Sequence, residues 1–174
     1  MRSRTSPRPA PTRCAAAILI DEDSGTVLYE KNADQQRPIA SITKVMTLLL
    51  TFEALSAGRI SLSDTVPVSE HAYHMGGSQI WLEPGEQFTL DDMLKAICIS
   101  SANDAAVAVA EFVGGSEPAF VQQMNARAAE LGLTNTHFEN ACGLDAEGHL
   151  STARDVAMMS REILLHHAEV RNYC

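Results

Sequence analysis

Lysine is scarce in this chain: only Lys31, Lys44 and Lys95 occur among 174 residues. Lys+Arg total 13 against 22 Asp+Glu, a formal charge of −9, which argues against a nucleic-acid backbone as the main partner. No apolar run approaches the roughly 18 residues needed to span a bilayer. The longest, Val45 to Leu55, is interrupted by Thr47, Thr51 and Glu53. The four cysteines (Cys14, Cys98, Cys142, Cys174) are scattered and form no CxxC pair. That spacing offers neither a zinc site nor a disulfide framework, so they read as individual buried thiols. Residues 1–13 hold four Arg and three Pro without the apolar stretch of an export signal, so no signal peptide is expected and 1–14 reads as a disordered tail. Internal repeats and low-complexity segments are absent as well.

What remains fits one domain, residues 15–174, since a typical domain holds about 150 residues. With 45% hydrophobic and 20% charged residues the chain can bury a core. Ala15–Ile20 and Thr26–Tyr29 flank the Asp/Gly-rich segment 21–25, which predicts a β-hairpin. From Ser41 to Ala57 the pattern is helical and apolar almost all round, the mark of a helix at the centre of a fold, with Gly58 as its stop. Thr65–Val68 reads as a short strand, and 75–86, holding the only Trp, as a loop. Helices are predicted over 90–99, 103–113 and 117–131. The third carries Phe120, Met124, Ala128 and Leu131 on one face. A last helix runs from near Thr152, where Thr152 and Asp155 suit a capping box, to about His166. Met46, Met93, Met124, Met158 and Met159 read as core filler. The class is α+β and mostly helical.

Two constellations carry chemistry. In Ser41-Ile-Thr-Lys44 three helical residues advance about 300° and 4.5 Å, so both side chains share one face. A serine hydroxyl needs a base to become a nucleophile. Lysine serves only if its pKa falls from about 10.4 towards 7, which requires roughly 4 kcal/mol of desolvation or like-charge repulsion. A helix start packed in an apolar core can supply the desolvation, and its N–H groups suit a developing oxyanion. By itself, SxxK occurs by chance in many proteins. The second constellation is Ser101-Ala-Asn103-Asp-Ala-Ala106. Its hydroxyl and amide can relay a proton and hold a substrate amide, although Ser101 or Asn103 is equally suited to capping the Ala-rich helix.

Together, Ile39-Ala-Ser-Ile-Thr-Lys-Val-Met-Thr47 and Ser101–Ala106 resemble the D-alanyl-D-alanine carboxypeptidases, the low-molecular-mass penicillin-binding proteins, whose superfamily shares SxxK, S-x-N and K-T-G motifs. Leu19–Tyr29, Gly77–Gly85, Thr134–Asp145 and His149–Asp155 are similar to that family too, so the likeness covers about residues 15–174. It implies a DD-peptidase/β-lactamase-like fold with Ser41 as acylated nucleophile and Lys44 as general base. Ser101 would relay protons, Asn103 would position substrate, and the Ser41 N–H would form half of an oxyanion hole. It further implies removal of the terminal D-alanine from peptidoglycan stem pentapeptides without a cofactor or metal, acylation by β-lactams, and an extracytoplasmic location.

The Lys-Thr-Gly strand of the family has no counterpart. Lys31 precedes Asn, Lys44 Val and Lys95 Ala. In the family this strand follows the last helix, so the chain is expected to be C-terminally truncated, without the last strands of the sheet or the family's membrane anchor. Impaired catalysis is expected, as is a hairpin short of sheet partners. A non-catalytic peptidoglycan- or penicillin-binding remnant is one alternative. A serine β-lactamase is weaker, since the nearest Glu-x-x-Leu-Asn pattern is Glu130–Thr134. His71 and His74 lack a third ligand for a metal, and His166-His167 fits a helix end.

Overall fold

In the computed structural model, which describes residues 13–173, the first two strands form an antiparallel hairpin. Strand β1 (Ala17–Ile20) pairs with β2 (Val27–Lys31) in the register Ile18↔Glu30 and Leu19↔Tyr29. The turn closes because the Asp21 carboxylate accepts from the Ser24 N–H (2.8 Å) and hydroxyl (2.6 Å). Among the described residues no third strand joins it. A helix supports it instead: from α6 (Ala153–His166), Arg161 donates to the Glu22 and Asp23 carbonyls, both at 2.6 Å, and Arg154 pairs with Glu30 and Asp34.

The central helix is built as the pattern predicts, with one difference at its start. Residues Ala40–Thr43 form a 3-10 turn that runs into α1 (Lys44–Ser56). Met46, Leu49, Phe52 and Ala54 are each no more than 1% exposed, and full burial of each large apolar side chain contributes about 1.5–3 kcal/mol. Two hydroxyls inside this core are satisfied locally. Thr51 donates to the Thr47 carbonyl at 2.7 Å, and Thr47 to the Ala141 carbonyl at 2.6 Å.

Thr65–Pro67 (β3) pairs with Gln87–Thr89 (β4), a partner strand that is too short and polar to read from sequence. The one-turn α2 (Glu70–Tyr73) and the 3-10 turn Ala168–Asn172 are likewise unforeseen. Three predicted helices are present as α3 (Leu90–Ser100), α4 (Asn103–Gly114) and α5 (Glu117–Glu130). In α4 the run Ala105–Ala110 is wholly buried, its small side chains letting neighbouring helices approach. Helix α1 touches α4, α5 and α6. From α5, Arg127 clamps this arrangement by donating to Glu53 of α1 (2.8 Å) and Glu162 of α6 (2.9 Å). The Thr152 hydroxyl caps α6 by accepting from the Asp155 N–H at 3.1 Å.

Two expectations need correction. Met158 is 37% exposed, because its position on α6 falls outside the core-facing stripe that buries Met159 and Ile163. Cys14 is exposed and Cys98 half-buried, so of the described cysteines only Cys142 is a buried thiol. Most of the expected tail, residues 1–12, and Cys174 lie outside the described residues.

Candidate active site

The SxxK turn sits at the start of α1. A 3-10 turn has 3.0 residues per turn, so positions i and i+3 eclipse and do not diverge by the 60° of an α-helix. Lys44 therefore stacks directly over Ser41, with Nζ 3.3 Å from Oγ. Ser41 is exposed, whereas Lys44 is 4% exposed.

Lys44 Nζ has two closer partners. It donates to Asn103 Oδ1 at 2.7 Å and to the Cys142 carbonyl at 2.8 Å. The Asn103 amide cannot be reversed, because its Nδ2 donates to the Gly76 carbonyl at 2.7 Å. A neutral amine has two N–H groups and one lone pair. With both N–H groups held by these oxygens, the lone pair is left facing the Ser41 hydroxyl. Burial lowers the Lys44 pKa from its ordinary value, towards the form this geometry requires. Burial also pushes the Cys142 thiol up, so no thiolate stands beside the amine to hold it charged.

Asn103 is the first residue of α4, and its side chain is not the helix cap. The helix is capped by the backbone of Ala102 without a side-chain bond, leaving the Asn103 amide for Lys44. Ser101 occupies the turn between α3 and α4 in the left-handed region (φ 52°) and is half-buried. Its hydroxyl makes no hydrogen bond to Ser41 or Lys44. Ala40, just before Ser41, is also left-handed (φ 45°). Such backbone costs about 1–3 kcal/mol per residue and clusters where function needs a particular geometry.

The residues that sequence reasoning did not single out lie in the loop after α5. The Asn140 carboxamide oxygen accepts from the N–H groups of Cys142 (3.3 Å), Gly143 (2.7 Å) and Leu144 (3.2 Å), curling the loop so that the Cys142 carbonyl points at Lys44. Gly143 (φ +91°) lies so close to the SxxK turn that a Cβ would sit 1.9 Å from the Ala40 carbonyl oxygen. An Asn three residues before a Gly is a readable turn signal, but nothing local tells what the turn faces. On the other flank, buried Asp104 accepts from the N–H groups of Ile80 (3.1 Å) and Leu82 (3.2 Å). Between them Trp81 is held at φ 62° and 77% exposed. A cavity of about 310 Å³ lies beside the Ser41 turn, lined by Pro38, Ile39, Ala40, Gly143, Leu144 and His149 among others.

The remaining candidates are occupied elsewhere. His71 is paired with Glu117 (2.6 Å), and His74 with Glu70 (3.6 Å). Among the described residues no group of three or more His, Cys, Asp or Glu is arranged to hold a metal. Glu130 is 65% exposed and engaged with Arg127, and Lys95 pairs with Asp91 on the surface of α3.

Comparison with known proteins finds relatives over most of the chain. The family model described as D-alanyl-D-alanine carboxypeptidase matches residues 3–173. D-alanyl-D-alanine carboxypeptidase DacF of Bacillus subtilis is 56% identical over 149 residues, 86% of this chain and 38% of that protein. Among solved structures, the D-alanyl-D-alanine carboxypeptidase DacD of Francisella tularensis superposes with a TM-score of 0.91 at 32% identity, covering 98% of this chain and 42% of the other. Penicillin binding protein 6B of Escherichia coli gives 0.91 at 35%, covering 97% and 55%. The chain thus spans about two fifths to just over half the length of these relatives. On motif, fold and extent of similarity, it belongs to the D-alanyl-D-alanine carboxypeptidase family.

Proposed function

We propose that this chain carries the nucleophile-bearing part of a serine-type D-alanyl-D-alanine carboxypeptidase. Ser41 Oγ attacks the carbonyl carbon of the terminal D-Ala–D-Ala bond of a peptidoglycan stem peptide while Lys44 takes the hydroxyl proton. The C–N bond then breaks, the proton passes to the departing D-alanine amine with Ser101 as relay, and water hydrolyses the Ser41 ester. Asn103 positions both Lys44 and the substrate amide. A β-lactam presents the same acyl carbon and acylates the same oxygen. The observation that carries this reading is the buried Lys44 amine, with Nζ 3.3 Å from Ser41 Oγ and two closer oxygens, Asn103 Oδ1 and the Cys142 carbonyl, to take its N–H groups.

The sequence contains no Lys-Thr-Gly triplet. No helix among the described residues is long and apolar enough to cross a membrane. An extracytoplasmic site of action follows from the peptidoglycan substrate.

Incubation with a fluorescent penicillin, with Ser41→Ala as control and the adduct located by peptide mass, tests the assignment. Labelling confined to the peptide containing Ser41 supports it, and an adduct on another side chain overturns it. Absence of labelling above the control favours a non-catalytic binding module.

A further inference from the structure

His149 lies in the segment His149–Asp155, which the proposed chemistry leaves unused. It is 4% exposed, and both ring nitrogens are engaged. Nδ1 lies 3.2 Å from the Glu139 backbone nitrogen, whose N–H can only donate, so Nδ1 is the bare acceptor and the proton resides on Nε2. Nε2–H then donates to the hydroxyl of Thr43 at 2.7 Å. Thr43 is fully buried and is the residue immediately before Lys44 in the 3-10 turn. Glu139 begins the loop that brings the Cys142 carbonyl to Lys44. Phe138 braces the ring edge-on, with centroids 5.8 Å apart. One imidazole therefore bridges the turn carrying the nucleophile and base to the loop carrying the acceptor that orients the base.

We propose that His149 is a positioning residue for the Ser41–Lys44 pair, its neutral Nε2–H tautomer fastening the Thr43 hydroxyl to the Glu139 backbone. This rests on the functional reading above, but it concerns a residue with no role in bond making. Protonation of Nδ1 sets two N–H groups against each other at Glu139 and detaches the loop. The charged groups facing the ring are Glu139, His137 and Asp145, with Glu147 on the rim of the shared cavity and Lys44 next in chain to Thr43. Burial lowers the His149 pKa from its ordinary value, so the neutral tautomer prevails at neutral pH.

Acylation by a fluorescent penicillin, followed from pH 5 to 9 in the 174-residue chain with foldedness monitored by circular dichroism, gives the first test. In the unaltered chain the logarithm of the rate should fall more steeply once pH drops through the lowered His149 pKa, below the ordinary imidazole value of about 6.5, than it does above it. His149→Gln keeps a donor for Thr43 but cannot titrate, and should lose the break. Thr43→Val should slow acylation by about 10–10²-fold while folded, as a misplaced reacting pair does, and Thr43→Ser should restore it. An unchanged break in His149→Gln, or an unchanged rate in Thr43→Val, overturns the proposal. The second test needs no acylation. Ring ¹⁵N shifts should report the Nε2–H tautomer, and the Lys44 Nζ titration should move in Thr43→Val. The Nδ1–H tautomer, or an unmoved Lys44, overturns the bridge. Labelling that survives Ser41→Ala instead defeats the functional reading and leaves the bridge to the spectra.

Discussion

At the scale of single residues, Lys44 shows how burial and hydrogen bonding act on one amine in concert. Desolvation disfavours the ammonium, while Asn103 Oδ1 and the Cys142 carbonyl fix the direction of what remains when the proton leaves. Since the base must be neutral, acylation of Ser41 should rise with pH through the lowered Lys44 pKa and level off before the ordinary lysine value of about 10.4. A pH profile of labelling rate measures this. Lys44→Arg keeps the cation but cannot shed its proton below about pH 12, and labelling should fall by about 10² or more. Gly143 makes a different demand. Gly143→Ala places a methyl into the Ala40 carbonyl at a positive φ, and should destabilise the chain by about 2–5 kcal/mol in urea titrations.

At the scale of elements, the site is assembled where helices begin and loops are held from beneath. The 3-10 turn eclipses Ser41 with Lys44, and the junction at Ser101 turns α3 into α4 so that Asn103 arrives first on the new helix. Asp104, one residue on, holds the other wall. Its buried carboxylate accepts from Ile80 and Leu82 at the positive end of α4, and hydrogen bonds to a charged group contribute about 1.5–3 kcal/mol. Asp104→Ala should cost about 2–4 kcal/mol and speed hydrogen exchange at Ile80 and Leu82 ahead of the core of α1. The Thr152 cap on α6 is an ordinary helix start by comparison, and Thr152→Ala should lower stability by about 1 kcal/mol without changing the pH profile of labelling.

Across the whole molecule, two buried basic groups link stability to pH. The folded-state pKa values of Lys44 and His149 are both lowered, so the unfolded chain binds more protons between the folded and unfolded values of each. Stability therefore rises with pH through both windows. The His149 contribution is fully present above about pH 6.5 and is lost as pH falls through the lowered value. That of Lys44 grows as pH climbs towards about 10.4. Urea midpoints from pH 5 to 10 should show both rises, and His149→Gln should remove the lower one.

Much of this architecture was legible because its signals are local. Apolar residues on all sides of 45–55 told of a central helix, Gly58 marked its stop, and Thr152 and Asp155 marked a start. Ser41 and Lys44 could be placed on one face from their spacing, since three residues is nearly a turn in either kind of helix. Thr65–Val68 read as a strand, but its partner β4 escaped notice because three polar-flanked residues have too little alternation to register.

What the sequence alone determined was on which elements the candidate side chains sit, because helix periodicity and capping act over a few residues. Only the tertiary structure decided what surrounds the amine. The Cys142 carbonyl, 98 residues away, and the Thr43–His149 bond, spanning 106, are contacts between distant segments. A backbone carbonyl also carries no residue identity, so no pattern of letters announces that one will point into a site. Long-range packing of α1 against α4 and the loop at 140–144 brings those groups together, and with them the desolvation that lowers the Lys44 pKa.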